Sequence, residues 1–361
     1  MDDIEWRTIK MMMLLWVVLP ILCMILAAVY LYRKCSGGIA CFFPGWSKKR
    51  RRIAAGILAA ALIVPAFRMY DSWFIILLHV TVFLLVVDGI VWVVRKLRKN
   101  RELSPLWNKI YRSGVIAILL TVFVCGYGHY NIYQVIRTDY TVETRKAIRA
   151  EGYRLVLLSD LHDGLTLNGA QLRAVAERID AEQPDAIILD GDLVDESTTL
   201  EEMEEAFEIL GQLNSTYGIY YVYGNHDQNN YTSSPNYTRE QLADTIRKNG
   251  ITILEDESVT LGSDLTLIGR ADRGDGSFQR KEISELVASL NPEQEWILLD
   301  HQPSDYQKAE QAGCDLILSG HTHAGQIWPA GLFATLFHFD ELNYGKETKS
   351  IRVLRRFNKK N

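Results

Sequence analysis

The segment "DAIILDGD" (residues 185–192) is a short apolar run that stops at Asp-Gly-Asp. It is too brief for an ordinary helix, and it is apolar throughout rather than at alternate positions, as a strand covered on both faces requires. Five further runs share the form: "YRLVLLSD" (153–160), "GIYYVYGNHD" (218–227), "LTLIGRAD" (265–272), "EWILLDHQ" (295–302) and "DLILSGHTH" (315–323). Amphipathic stretches lie between them at 168–182, 200–213 and 239–250. In the first of these, Leu172, Val175, Ala176 and Ile179 fall on one helical face. Strand, loop and helix in alternation predict a layered α/β domain with a largely parallel or mixed sheet. Such folds bind ligands beyond the carboxyl ends of their strands.

Those strand ends carry the chemistry. They supply Asp160 and His162 from "SDLHDG", Asp192 from "GDLVD", and Asn225, His226 and Asp227 from "GNHD". His301 follows from "DHQP", and His321 and His323 from "GHTH". Oxygen and imidazole donors without thiolate suit manganese, iron(II) or zinc. The set is large enough for two ions if one carboxylate is shared. Taken singly, each piece has a structural reading: Asp160 as a helix cap, GNHD as a turn, HxH as surface or packing. Their succession at five predicted strand ends points to one metal centre.

The chain of 361 residues divides by charge. Residues 1–136 hold 17 Lys+Arg against 6 Asp+Glu, and the remainder carries a net charge of −16. An acidic domain with no basic stripe excludes nucleic acid as an expected partner and favours bound cations. Only Cys314 of the five cysteines lies beyond residue 136, so neither a disulfide framework nor a Cys-based zinc site is expected there. The N-terminal part predicts about four membrane spans, near 11–32, 53–70, 72–94 and 114–133, with 53–70 the shortest in apolar length. Basic residues cluster at 33–52 and 95–112, which predicts a cytoplasmic face for both and an extracytoplasmic placement for everything after residue 136. Asp88 and His79, within the third span, are read as interhelical hydrogen-bonding groups. The domain boundaries expected are 1–136 for the membrane part and 137–361 for the α/β part. Sequons stand at Asn214, Asn230 and Asn236.

The order DxH, GDxxD, GNHD, isolated His and GHTH resembles the calcineurin-like metallophosphoesterase superfamily over about residues 150–345. The "LSDLHDG" and "GHTHAGQ" segments behind hydrophobic spans resemble its membrane-associated bacterial branch, which includes UDP-2,3-diacylglucosamine pyrophosphatase-like and cell-envelope phosphoesterases. The resemblance implies a layered α/β sandwich and two divalent ions, manganese favoured over iron or zinc. It implies that Asp160, His162, Asp192 and His323 hold one ion, and that Asp192 bridges to a second held by Asn225, His301 and His321. Such a pair lowers the pKa of a bridging water and clamps a phosphoryl group for in-line attack. His226 is implied as general acid or charge stabiliser, with Asp227 orienting its ring.

Asp195 stands where related purple acid phosphatases have tyrosine, which argues against an iron(III)–tyrosinate site. Asp195 itself is expected either to support the site or to cap a helix. Asp163 and Gly164 are expected to shape the first metal loop, and Arg270, Asp272 and Arg273 form either a solvated loop or a phosphate contact. After GHTH the chain departs from the family, since "NYGKETKSIRVLRRFNKKN" offers Tyr344 and Gly345 but not the usual closing strands. The expected activity is phosphate-ester or pyrophosphate hydrolysis beside the membrane, with membrane lipids as neighbours and a phosphorylated small molecule or lipid as substrate. The alternatives are a cytoplasmic-facing UDP-lipid pyrophosphatase and a non-catalytic metal-binding sensor.

Overall fold

The computed structural model describes residues 19–68, 71–99, 104–274, 280–302 and 305–321. His323 and the tail with Tyr344 and Gly345 lie outside the described residues, as does the 11–18 part of the first expected span. The chain divides into two compact units, Met1–Gln134 and Val135–Asn361.

The first unit is helical: α1 Leu19–Phe42, α2 Lys48–Ile63, α3 Ser72–Leu97, α4 Pro105–Ser113 and α5 Val115–Ile132. Three helices among the described residues are long and apolar enough to cross a membrane, over Ile21–Phe42, Ser72–Leu97 and Val115–Ile132. The expected 53–70 span falls on α2, which opens with five consecutive cations and ends before Pro65. Its 16 residues rise about 24 Å, and the Pro65–Phe67 turn carries the apolar stretch past its end. Helix α1 also runs ten residues beyond the expected end at 32, so Arg33 and Lys34 are helical and the connection to α2 is short. Leu31, Ile63, Ala66, Leu77, Leu84 and Ala117 form a small buried cluster, while most apolar side chains face outward. Asp88 and His79 are satisfied locally. Tyr30 Oη donates to Asp88 at 2.8 Å, Lys34 pairs with the same carboxylate, and His79 Nδ1 donates to the Ile75 carbonyl at 2.8 Å.

The second unit is α/β. Its first sheet takes β1 Leu155–Leu158, β2 Ala186–Asp190, β3 Ile219–Val222 and β4 Thr252–Ile253 in that order, all parallel. Its second takes β5 Glu257–Leu261, β6 Leu265–Gly269, β7 Glu295–Leu299 and β8 Leu316–Leu318, with only the β5–β6 pair antiparallel. Alternate side chains of a strand face opposite ways, and the burial follows suit. Ile187, Leu189 and Tyr221 pack against helices α6 Gly169–Asp180, α7 Leu200–Gly211 and α8 Arg239–Lys248. Ile188, Tyr220 and Val222 share a buried cluster with Leu265, Leu267, Ile297 and Leu299 of the second sheet. Ile268, Leu298 and Ile317 pack on α9 Ile283–Val287 and α10 Tyr306–Ala312.

The helices α6, α7 and α8 begin at capping boxes, Asn168 with Gln171, Thr199 with Glu202 and Thr238 with Gln241. Thr199 therefore caps α7, which removes that role from Asp195. The six expected strands are present. Strands β4 and β5 were not among the expectations, because β4 is two residues long and β5 is mostly exposed.

Candidate metal centre

Every site residue sits within a few positions of a strand's carboxyl end, where the chain must turn sharply. Asp160, His162, Asp192 and His321 all have φ between 43° and 71°, in the left-handed region that L-residues rarely adopt. Such strain persists only where surrounding contacts hold it, and these contacts are visible. The N–H groups of Asp160, His162 and Asp163 donate to the carbonyls of Gly191, Asp192 and Leu193 at 2.8–3.0 Å, so the first loop is laced to the second. Thr198 Oγ1 donates to the Asp163 carbonyl at 2.7 Å, and Gly164 N–H to Leu167, in keeping with loop-shaping roles for 163 and 164. Burial, then Glu202 and Glu205, push Asp163 up to about 7.

The glycines of the motifs are steric requirements. A Cβ on Gly224 would run into the Asp192 carboxylate, and one on Gly320 into Ser159 Oγ and Asp160.

Two groups of donors converge. Ligand atoms of Asp160, His162 and Asp192 lie within 4.8 Å of one another, and so do those of Asp192, His301 and His321. Asp192, 1% exposed, belongs to both. Asn225 joins the second group, since His321 Nδ1 donates to its Oδ1 at 2.7 Å. His301 Nδ1 donates to the Asp190 carbonyl at 2.7 Å, which leaves Nε2 as the free donor atom. That Nε2 lies 2.9 Å from Asp192 Oδ2 yet makes no hydrogen bond of proper geometry, and it is buried. Burial opposes a charge on His301, but Asp192 outweighs it and raises the imidazole's pKa; Asp192 is held low by the same pair against its own burial. A buried imidazole nitrogen without a hydrogen bond, facing an ionised carboxylate, is the electrostatic setting that a divalent cation satisfies. The donor set thus fits the implied metal. His323, expected in the first group, lies outside the described residues.

His226 stands over this cluster. Its N–H donates to Asp192 Oδ1 at 2.8 Å, and its ring lies 5.2 Å from that of His162 and 5.0 Å from that of Tyr231. The expected partner of its ring was Asp227, but the structure gives that place to Glu196, whose Oε2 accepts from His226 Nδ1 at 2.9 Å. Asp227 is fully buried. It accepts the N–H groups of Asp192, Leu193, Val194 and Gly224 at 2.7–3.2 Å, so it holds the backbone around the shared ligand. A carboxylate one residue after a histidine on a tight turn points into the turn's amides rather than at its neighbour's ring. Asp195 accepts from Ser197 and lies 3.4 Å from His162 Nδ1, which orients that ligand.

Two further residues at the site had no expectation. Glu196 followed an aspartate already singled out, and nothing in its spacing marked it. Tyr231, largely exposed, accepts from Asn225 Nδ2 at 3.3 Å and flanks His226. The 270–273 loop divides by residue. Arg270 is buried, not solvated, and binds Asp300 at 3.1 Å and Asp305 at 3.0 Å, so it is not a phosphate contact. Asp272 is buried against Gln302 and the Gly274 N–H, and Arg273 is exposed.

Comparison with known proteins bears on the family of the α/β domain. The calcineurin-like phosphoesterase family model matches residues 153–325. An uncharacterized metallophosphoesterase of Campylobacter jejuni is 26% identical over 324 residues, 84% of this chain and 82% of that protein. A Danio rerio transmembrane protein with metallophosphoesterase domain is 30% identical over 243 residues, 63% of this chain and 54% of that one. The UDP-2,3-diacylglucosamine pyrophosphatase LpxG of Chlamydia trachomatis is 24% identical over 55% of this chain and 72% of its own. The chain thus spans most of the first relative and about half of the second. Residues 153–325 are a calcineurin-like phosphoesterase domain, the domain type of the metallophosphoesterases, hydrolases of phosphoric ester bonds.

Proposed function

We propose that the chain is a membrane-anchored phosphoesterase with a dinuclear centre, acting on a phosphate ester or pyrophosphate, with α2 as a fourth crossing and the α/β unit therefore outside the cytoplasm as the two facing sheets of a sandwich. The observation that carries the dinuclear reading is the pair of ligand groups sharing Asp192. Asp160, His162 and Asp192, with His323, would hold one ion; Asp192, Asn225, His301 and His321 would hold the other. Two divalent ions, manganese favoured, lower the pKa of a water and clamp the phosphoryl oxygens when bound. The chain's own residues do the rest. Asp195 and the Asp190 carbonyl fix the ring orientations of His162 and His301. Glu196 holds His226 in the tautomer with a proton on Nδ1, which frees Nε2 to stabilise or protonate the leaving oxygen. Tyr231 lines the same side, where the substrate's leaving portion would lie.

The likeness to a UDP-2,3-diacylglucosamine pyrophosphatase and the three long apolar helices together favour a lipid-linked phosphorylated substrate. The same likeness supports the second reading, a UDP-lipid pyrophosphatase facing the cytoplasm. The full chain in detergent, assayed with manganese on a chromogenic phosphodiester, tests the activity. Turnover should vanish with EDTA and return with manganese, and Asp192→Asn should fall by at least ~10³-fold. Undiminished turnover in either case contradicts the mechanism. A reporter fused after residue 136 distinguishes the two faces.

A further inference from the structure

The helical unit carries a charged cluster of its own. Residues Arg33, Ser36 and Gly37 of α1 and Lys48, Arg51 and Arg52 of α2 line one cleft of about 470 Å³. The spacing explains the convergence: 33, 36 and 37 share one face of α1, and 48, 51 and 52 share one face of the first turns of α2. The floor is open, since a Cβ on Gly37 would meet nothing within 4 Å.

The electrostatics are one-sided. No acidic residue stands in the first turn of α2, so its five cations crowd the positive end of the helix dipole, where anions are favoured. Among the described residues, none of Arg33, Lys48, Arg51 and Arg52 has an acidic partner; the only salt bridge of this unit is Lys34–Asp88. Arg51 Nε is buried without a hydrogen-bond partner. Positive charge, a buried unused donor and room beside it together suit an anion. The surrounding aromatics set the level. Exposed Phe43 and Trp46 stack at 4.8 Å in the α1–α2 connection, Lys109 lies 5.8 Å over the Phe42 ring, and Trp107 is exposed on α4. Aromatic and basic side chains in this mixture mark a membrane–water interface.

We infer that the α1–α2 cleft binds a phosphate-bearing anion, with the guanidinium groups of Arg33, Arg51 and Arg52 and the Lys48 ammonium on its oxygens. A phospholipid headgroup and a soluble phosphate share this chemistry, and the interface level favours the headgroup. The lipid source rests on the membrane reading above, whereas the anion site does not.

The test uses the full chain purified in detergent. Native mass spectrometry would count retained phosphatidylglycerol against phosphatidylcholine, and thermal shift would follow added inorganic phosphate and glycerol phosphate. Arg51→Gln/Arg52→Gln should weaken phosphatidylglycerol retention by more than tenfold, at roughly fivefold per cation. Lys49→Gln/Arg50→Gln removes the same charge from the same helix outside the cleft and should change retention far less. Gly37→Leu keeps every charge, fills the floor, favours the helix, and should lose the lipid as the double variant does. Protection by phosphate with no selective lipid retention, lost in the same variants, supports the site with a soluble anion. Equal losses in the two double variants, or full retention in Gly37→Leu, would overturn the cleft in favour of diffuse attraction.

Discussion

The two sheets of the α/β unit deliver ligands to one centre by different means. On the first sheet, the loops after β1, β2 and β3 are held by backbone amides. Asp227 gathers four N–H groups, and the loops after β1 and β2 share three more hydrogen bonds. On the second sheet, the ends of β6 and β7 are tied by side-chain charge, with Arg270 and Arg280 around buried Asp300. Asp256 adds bonds to the Ala271 and Lys281 amides. Amides fix φ and ψ directly, and three of the four strained ligands, Asp160, His162 and Asp192, lie on the amide-held side; the fourth, His321, is held from across the sheets by its own N–H, which donates to Asp160 Oδ1 at 2.8 Å. Ion pairs hold position without dictating backbone conformation. The first arrangement suits geometry that must not vary, the second suits a wall.

Substitutions should separate the two. The largest effect is expected from Asp227→Asn, which places an amide donor against two of the four N–H groups. Each buried donor left unsatisfied costs about 1–3 kcal/mol, so a loss of about 4 kcal/mol and of nearly all turnover is expected in thermal and activity assays of the full chain. An active, stable Asp227→Asn would break the comparison. Arg270→Met should cost about 3 kcal/mol by leaving Asp300 short of a partner, while the folded fraction keeps its metal affinity. Loss of metal at unchanged stability would show that this side, too, sets ligand geometry. Glu196→Gln sharpens the picture at the site itself. Turnover should drop by about 10- to 100-fold, with thermal stability and metal content unchanged, because Glu196 orients His226 and holds no loop. A wild-type rate would remove it from the mechanism.

Much of this is legible in the amino-acid sequence. Continuous apolar runs ending in Asp, Asn and His marked both the strands and the centre, because burial on two faces and ligation at the strand ends each demand a residue type at a given place. What escaped the reading depended on which loop lies against which. Glu196 and Tyr231 reach His226 only because the β2 and β3 loops are neighbours in the sheet. Asp227 looked like a ring partner in sequence and is an amide anchor in space. Arg270 looked like a surface cation and is a buried tie. In the helical unit, the cations at 48–52 read as a loop but begin a helix capped by Ser47, since straight-chain Lys and Arg are good helix formers.

The central claim is that Asp192 joins two ions in one centre. Metal analysis of the full chain after manganese loading and gel filtration tests it, comparing wild type with Asp192→Asn and His301→Ala. The account predicts two ions per chain in the wild type, loss of both in Asp192→Asn, and one retained in His301→Ala. One ion in the wild type, or an unchanged pair in Asp192→Asn, would contradict it.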